Sequence, residues 1–403
     1  MPDIPRRTPK PAPVDRVREA ERLLQAHQLA AAEAVLRDVL TDLRLAPRLP
    51  AELYARARNA MAQVYIAAGR RDAAIEVLDH TLDRLAPLLD TPPEGFPPAG
   101  LARIGVELAH AQIRLAGQRR LDGDLQGARE LVDVAIQRTL RRAMVLWEQH
   151  LPPDVSLASG LSRMAVTLLD QGEAAHAERL LRMELQERER VGHSIRRVSR
   201  TRIHLGQTLM TQNRCSEAEA LFRTALDQRR RSRAPQDATS KARCWLAMCI
   251  LAQGRTEESE RLLLEGLSEM RALGEHPRAR AALRYSLARV NLAQGRTDEA
   301  KDILRRGLED LRGGPVRDPH ALAEHAMSLA QILQLEGQAQ DAETLLLDTL
   351  REAQAGGLSP RAMHRLQEQL AEASRERQTA GALSSAQHTT LRGLQMRAHF
   401  PGL

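Results

Sequence analysis

The sequence predicts an all-α chain of eight to nine stacked pairs of antiparallel helices, an α-solenoid. Three observations predict it: a turn-forming residue recurs about every 41 residues, small residues recur at fixed distances from it, and large aliphatic residues recur further on. Composition agrees, because 43% of the 403 residues are hydrophobic but only 2% are aromatic. Such a composition suits repeats that bury alanine and leucine locally better than one large globular core.

The turn residue marks the junction between the two helices of each repeat. From residue 172 onwards the successive intervals are 41, 41, 41, 42 and 41. The turn residues are His27, Gly69, Gly123, Gly172, Asn213, Gly254, Gly295, Gly337 and Gln378. Glycine or asparagine at the seven internal turns favours the left-handed conformation that closes a helix. The two departures, His27 and Gln378, lie in the end repeats.

Three further positions, counted from the turn residue, predict how the helices pack. Seven residues before the turn stand Ala20, Ala62, Ala116, Ala165, Gly206, Ala247, Ala288, Ala330 and Ala371. Five residues after it stand Ala32, Ala74, Ala128, Ala177, Ala218, Ser259, Ala300 and Ala342, and Leu383 breaks the run. Thirteen residues after it stand Leu40, Leu82, Ile136, Leu185, Leu226, Leu267, Leu308, Leu350 and Leu391. Small residues allow helix axes to approach closely, and the aliphatic anchors fill the core.

This ladder resembles the tetratricopeptide repeat family, in particular the longer repeats, of about 42 residues, found in kinesin light chains. The resemblance covers roughly Val14 to Leu394. It implies a right-handed superhelix in which the first helix of each repeat lines a concave groove. The aromatic positions of the family are nearly all aliphatic here, apart from Tyr65 and Phe222. The paired asparagines of kinesin-light-chain-like repeats are also replaced, so no asparagine ladder that clamps a peptide backbone is expected.

Taken in order, the chain begins with a basic segment that holds five prolines in thirteen residues and is expected to be disordered. The strongest break is LDTPPEGFPPAG, where prolines exclude helix and a hinge or excursion is expected. The predicted boundaries are 1–13 for the arm, 14–88 for repeats one and two, 89–100 for the linker, 101–357 for repeats three to eight, 358–397 for a degenerate capping repeat and 398–403 for a tail.

Repeat three is the least regular. The interval from Gly69 to Gly123 is 54 residues, and the segment GQRRLDGDL is interpreted as a lengthened turn. Leu108-Ala109 competes with Leu115-Ala116 as the packing pair of its first helix. The next interval, 49 residues, predicts a longer second helix that continues through Trp147.

The motifs of common enzymes are missing from the sequence. It contains no phosphate loop, dinucleotide fingerprint, HExxH, CxxC or GxSxG. The three cysteines, Cys215, Cys244 and Cys249, lack metal-ligand spacing and are interpreted as packing residues. The sequence therefore predicts a protein that is not an enzyme and needs no cofactor.

Several features indicate a cytoplasmic protein. Few cysteines favour a reducing compartment. No apolar signal region follows the first residues, and no run of 18 apolar residues occurs. Arginine greatly outnumbers lysine, which is typical of high-GC bacterial genes, so a bacterial origin is expected.

Charge is concentrated in one segment. Residues 186–245 hold fourteen basic and six acidic residues, a net of +8 against +7 for the whole chain. A solvated helix end, an acidic protein or peptide partner, and nucleic acid are all compatible with this cluster. Nucleic acid is the least favoured because only Trp245 could serve nearby as a stacking platform.

By the resemblance, exposed positions on the first helices of repeats five to eight form a partner-binding groove. These predicted groove residues are Arg200, His204, Gln207, Lys241, Trp245, Met248, Ser286, Arg289, Ser328 and Gln331. Trp245 and Met248 could bury an apolar side chain while cations hold a neighbouring carboxylate, although both could instead pack between repeats.

Three functions fit these features. The leading hypothesis is a non-enzymatic adaptor or scaffold that binds an acidic, partly apolar segment of another protein in the groove. The second is a regulatory sensor whose superhelix changes when a peptide or small ligand binds. The third and weakest is RNA binding through the arginine-rich segment.

Overall fold

A computed structural model describes residues 11–26, 28–46, 50–151, 155–273, 276–314, 318–356, 358 and 360–379. All regular secondary structure within these ranges is helical, which confirms the predicted fold class. The chain divides between His193 and Ser194 into two compact units. None of the described helices is both long and apolar enough to cross a lipid bilayer.

The N-terminal unit consists of helix pairs that follow one another along the chain. Its helices are α1 (Pro13–Gln25), α2 (Leu29–Leu45), α3 (Ala51–Ala67), α4 (Arg71–Asp90), α5 (Pro98–Leu121), α6 (Leu125–Asp133), α7 (Arg141–His150), α8 (Val155–Asp170) and α9 (Ala174–Arg190). A π-helical segment, Val134–Leu140, joins α6 to α7 without a break. Each first helix packs against its own second helix, and α3, α5 and α8 pack in succession.

The C-terminal unit repeats the same arrangement with greater regularity. Its helices are α10 (Ile195–Thr211), α11 (Cys215–Arg231), α12 (Gln236–Ala252), α13 (Thr256–Leu273), α14 (Pro277–Ala293), α15 (Thr297–Gly313), α16 (Pro319–Leu335), α17 (Ala339–Gly356) and α18 (Pro360–Thr379). The first helices α10, α12, α14, α16 and α18 pack in succession.

The predicted turn residues adopt the predicted conformation. All seven internal ones have a positive φ, including Asn213 at 62° and Gly254 at 80°. The prediction for Gln378 was wrong, because α18 continues through this residue. His27, Leu383 and Leu391 lie outside the described residues.

The small positions are confirmed in every repeat but the last. The described residues five positions after the turn are buried, as are those seven positions before it from Ala20 to Ala330. Ala371 is the exception and is exposed. Helix α18 instead buries Ala362, Leu366 and Ala373, which share one helical stripe that excludes Ala371.

Of the eight described aliphatic anchors, four are buried as predicted: Leu40, Ile136, Leu226 and Leu308. Leu82, Leu185, Leu267 and Leu350 are only half-buried. The residue nine positions after the turn is the deeper one: Leu36, Leu78, Leu181, Phe222, Leu263 and Leu346 are 0% exposed. The deepest aliphatic stripe of the second helix therefore lies one helical turn earlier than the predicted anchors.

Repeat three and the proline-rich linker differ from the prediction. The extra residues extend α5 through Leu121, so GQRRLDGDL is not a lengthened turn, and both competing Leu-Ala pairs of α5 are buried. The proline-rich linker is shorter than the predicted range 89–100, because α4 ends at Asp90 and α5 begins at Pro98. Leu85 and Leu101 belong to one hydrophobic core, so the linker is not a hinge between separate cores. The long second helix is confirmed, and Trp147 is 1% exposed.

Candidate functional site

The predicted groove residues come together on the first helices of the C-terminal unit. They occupy three recurring positions, thirteen, nine and six residues before the turn, on α10, α12, α14 and α16. Because these helices pack in succession, residues at the same repeat positions lie along one face of the stack. We call this surface the first-helix face.

The residues on this face differ in how much solvent they contact. Arg200, Lys241 and Arg289 are exposed. His204, Gln207, Trp245, Ser328 and Gln331 are half-buried. Two assignments were wrong: Met248 and Ser286 are only 8% and 4% exposed, because Met248 belongs to the hydrophobic core and Ser286 hydrogen-bonds with Cys244.

Trp245 is held in place by the preceding repeat. Its ring stacks on Phe222, with ring centroids 6.4 Å apart and an angle of 18° between the planes. Phe222 lies on α11 and is fully buried, so the indole rests on a rigid support. Trp245 therefore contributes to packing between repeats while its half-buried side chain keeps part of its surface in contact with solvent.

Two cations on the first-helix face have no partner within the described part of the chain. Lys241 and Arg289 form no ion pair or side-chain hydrogen bond there. Glu324, which the sequence analysis missed, occupies the repeat position of Arg200 and Lys241. Burial raises the pKa of Glu324, and the charges of Arg365, His320 and Lys241 act against that shift.

Most arginines of the basic segment are neutralised within the fold. Arg188, Arg190, Arg214, Arg223, Arg230, Arg231 and Arg243 each pair with a carboxylate. At least seven of the fourteen basic residues of this segment are therefore already paired, which counts against nucleic-acid binding.

The cysteines have the properties of packing residues. Burial raises the pKa of the Cys244 thiol and of the Cys249 thiol to about 11. Both thiols are therefore protonated at neutral pH, and they donate to the backbone carbonyls of Ala282 and Cys215. The described residues contain no cluster of histidine, cysteine and carboxylate side chains that could bind a metal ion.

Comparison with known protein families agrees with this geometry. Models described as tetratricopeptide repeat match residues 238–312, 198–232, and 55–80 with 158–183. These four segments of the chain carry tetratricopeptide repeats. The matches fall on α12 to α15, on α10 and α11, and on the pairs α3–α4 and α8–α9. Folds of this kind present an extended concave surface for protein interaction.

Solved structures of helical-repeat proteins are similar to the chain at low identity. The apo form of RapI is 12% identical over 91% of this chain and 98% of its own, with a TM-score of 0.49. The apo form of the quorum sensor NprR from B. thuringiensis is 12% identical over 95% and 98%, with a TM-score of 0.41. BtubC (BKLC) from P. vanneervenii is 16% identical over 62% and 96%, with a TM-score of 0.40. No curated protein sequence matches the chain.

A second polar cluster, also missed from the sequence, lies on the first helices of tetratricopeptide repeats two to four. Arg114 of α5 is 6% exposed, and its guanidinium donates to the Asn59 carbonyl at 2.6 Å and to Gln63 Oε1 at 2.8 Å. Asn59 Nδ2 donates to Glu107 Oε2 at 3.0 Å, and Arg163 pairs with Glu107. We call these residues, together with His110, the Arg114 cluster.

The Arg114 cluster borders a cavity of about 530 Å³. Burial and the nearby charge of Arg163 lower the pKa of Arg114 to about 10, so the guanidinium remains charged at neutral pH. The sequence does carry a signal for this cluster. Nine residues before the turn, where repeats five and six have His204 and Trp245, repeats three and four have Arg114 and Arg163.

His110 makes the N-terminal unit sensitive to acid. Arg114 Nε donates to His110 Nε2 at 3.1 Å, which requires this ring nitrogen to be unprotonated. Burial, with the charges of Arg114 and Arg163, holds the pKa of His110 well below its ordinary value of 6.5. In the unfolded chain His110 takes up a proton near pH 6.5, whereas in the folded chain it does not. The folded N-terminal unit therefore keeps its full stability above that pH and loses stability as the pH falls below it.

We therefore expect acid to weaken α5 through His110. Below the unfolded pKa, the free energy that protects α5 from opening should fall by up to about 1.4 kcal/mol per pH unit from this residue alone. Hydrogen exchange of α5 amides between neutral and mildly acidic pH measures it. The slope should be smaller in His110→Gln and unchanged in His364→Gln, an exposed control. Equal slopes in wild type and His110→Gln would contradict the assignment.

Proposed function

We propose that the chain is a non-enzymatic adaptor that captures an acidic, partly apolar segment of a partner protein. The observation that carries the proposal is the arrangement on the first-helix face of the C-terminal unit. There, Trp245 is half-buried against Phe222, the exposed cation Lys241 stands four residues before it on α12, and the exposed cation Arg289 lies on the neighbouring first helix α14.

An aromatic anchor with charged residues at its rim is the usual composition of a strong protein-interaction site. A partner side chain that packs on Trp245 removes apolar surface from water, and the stack on Phe222 reduces the ordering that binding requires. Carboxylates that flank this side chain would reach Lys241 and Arg289, which make no internal ion pair within the described residues. Binding thus breaks no existing salt bridge of either cation.

Glu324 adds a constraint on how the segment lies. This carboxyl repels a bound carboxylate, and the cost is greater in a partly desolvated position. The acidic residues of the partner segment should therefore lie towards Lys241 and Arg289, and a neutral or basic residue should lie near Glu324. This polarity gives the groove a preferred binding direction.

A peptide library displayed against the full-length protein tests the proposal. We expect selection of sequences in which aspartate or glutamate flanks a leucine or aromatic residue. For a selected peptide, Trp245→Ala and the paired change Lys241→Glu with Arg289→Glu should each weaken binding by more than ~2 kcal/mol, measured by fluorescence anisotropy. Glu324→Gln should strengthen binding.

The matched control changes the same charge on the second helices. Arg261→Glu with Arg305→Glu alters α13 and α15, where both arginines are exposed, and should leave affinity nearly unchanged. Circular dichroism melts verify that each variant is folded. Selection of basic peptides, or equal affinity of wild type and the Trp245→Ala variant, would exclude this groove as the binding site.

A further inference from the structure

A second cavity of the C-terminal unit lies where α11 turns into α12. Its volume is about 530 Å³, and its lining includes Arg229, Arg230, Arg233, Ala234, Thr239 and Leu273. We call it the turn cavity. It shares no lining residue with the predicted groove residues.

The preceding repeat contains the same turn with different side chains. Glu184, Arg188, Gly192 and His193 stand 41 residues before Ala225, Arg229, Arg233 and Ala234. The two turns share their backbone geometry, since His193 N–H donates to the Arg188 carbonyl at 2.9 Å and Ala234 N–H donates to the Arg229 carbonyl at 3.0 Å. Differences between the turns therefore reflect the side chains alone.

In the preceding turn the buried arginine is neutralised. Arg188 Nε donates to Glu184 Oε1 at 2.7 Å, and its guanidinium contacts His193 Nδ1 at 3.0 Å. Arg229 occupies the same position and is 5% exposed, but Ala225 and Ala234 replace the carboxylate and the imidazole. Arg229 donates instead to Ser199 Oγ at 2.9 Å and to the Ala238 carbonyl. Its charge meets only neutral acceptors among the described residues.

A second cation borders the same cavity. Arg233 has φ 49°, in the left-handed region where the preceding turn has Gly192 at 68°. This conformation strains any residue with a Cβ atom, so glycine would fit the turn better. The Arg233 side chain has no hydrogen bond or ion pair with any part of the chain that the structure describes. A strained, unpaired arginine beside a cavity indicates a role in binding.

The surrounding charges are mostly positive. Arg196 and Arg200 of α10 act on Arg229, and together with burial they lower its pKa. Glu269 contributes the carboxylate of the lining, but it already pairs with both Arg230 and Arg243. On the α13 side, the wall combines Glu269 with the apolar residues Ala272 and Leu273, and Leu273 is 55% exposed.

We infer that the turn cavity binds a phosphate monoester carried on an apolar group. Arg229 Nε and Nη1 already donate to Ser199 and Ala238, so Nη2 of Arg229 and the whole guanidinium of Arg233 are the donors that remain, and donors from two side chains suit the several oxygens of a phosphoryl group better than the two of a carboxylate. A monoester carries a charge close to −2 at neutral pH and so matches two unpaired cations. The apolar group would pack on Leu273.

Calorimetric titration of the full-length protein with phenyl phosphate tests this inference. We expect saturable binding that is tighter than that of inorganic phosphate, which lacks the apolar group, and of benzoate, which carries one charge. Arg233→Gly restores the residue of the preceding turn and should weaken phenyl phosphate binding about tenfold or more, while stability is kept or increased. Ala225→Glu should also abolish binding, because its carboxylate would pair with Arg229.

Arg231→Gln is the matched control, since Arg231 is exposed, pairs with Asp227 and does not line the cavity. Its affinity for phenyl phosphate should equal that of wild type, and so should the affinity of Trp245→Ala, because Trp245 does not line the turn cavity. A peptide with phosphoserine beside leucine distinguishes the two possible sources of the phosphate monoester. If this peptide binds, the ligand is a phosphorylated partner protein. If phenyl phosphate binds and the peptide does not, the ligand is a small metabolite. Benzoate binding as tightly as phenyl phosphate, tighter binding of single-stranded RNA, or unchanged binding by Arg233→Gly would overturn the inference.

Discussion

Replacing Glu184 with Gln is expected to destabilise the N-terminal unit by about 3 to 5 kcal/mol, the cost of breaking a buried ion pair. Glu184 and Arg188 lie one turn apart on α9, and their side chains are 1% and 2% exposed. The neutral amide can still accept a hydrogen bond, but it leaves the charge of Arg188 uncompensated in a site that excludes water. Urea unfolding monitored by hydrogen exchange in α8 and α9 measures the change.

A compensating double variant makes this expectation sharper. Other repeats place small or apolar residues at the same two positions, such as Gly266 with Met270 and Gly307 with Leu311. Glu184→Ala with Arg188→Met should therefore recover most of the lost stability, because an apolar pair avoids the desolvation of both charges. Asp348→Asn, which breaks an exposed pair with Arg351, is the control and should change little. A Glu184→Gln protein that unfolds with wild type would show that the pair contributes nothing to stability.

The repeat period could be predicted from the sequence, but the chemistry at each repeat position could not. Counting from the turn glycines correctly places Ala247 and Leu308 in the core, because every repeat uses the same helix contacts. Glu184 and Arg188 fall at core positions too, yet a helical pair of opposite charge normally reads as a solvated face. Only the structure shows that neighbouring helices cover it.

The candidate sites show the same division. The register correctly predicted that Lys241, Trp245 and Arg289 reach the surface, whereas Met248 and Ser286 lie at equivalent positions and are buried. Exposure at one repeat position therefore differs between repeats, because contacts such as those of Met248 with the core and of Ser286 with Cys244 are particular to one repeat. The turn cavity could not be predicted because it depends on what Ala225 and Ala234 leave empty.

We expect Gly206→Ala to destabilise the wild-type protein but to stabilise a protein that already carries Phe222→Leu. A Cβ atom on Gly206 would lie 2.6 Å from Phe222 Cε1 and 2.7 Å from its Cζ, so the buried ring must move. This overpacking should cost about 1 to 3 kcal/mol. The clash should outweigh the gain of roughly 1 kcal/mol that alanine brings to a helix, and the variant should melt below wild type.

The other repeats indicate why Phe222→Leu removes this cost. In six of the eight repeats with alanine seven residues before the turn, leucine stands nine residues after it, as in Ala165 with Leu181 and Ala247 with Leu263. Repeat five exchanges both residues together, which keeps the combined volume of the contact similar. In the Phe222→Leu background, Gly206→Ala should therefore stabilise the protein by up to roughly 1 kcal/mol through helix propensity alone. Thermal melts of wild type, the two single variants and the double variant give a coupling energy expected at about 1 to 3 kcal/mol. Additive effects would mean that the ring does not fill the space left by Gly206.

Because Trp245 stacks on Phe222, the same Phe222→Leu change should also weaken capture of the acidic peptide, so the packing of this repeat and the proposed groove can be tested in one set of variants.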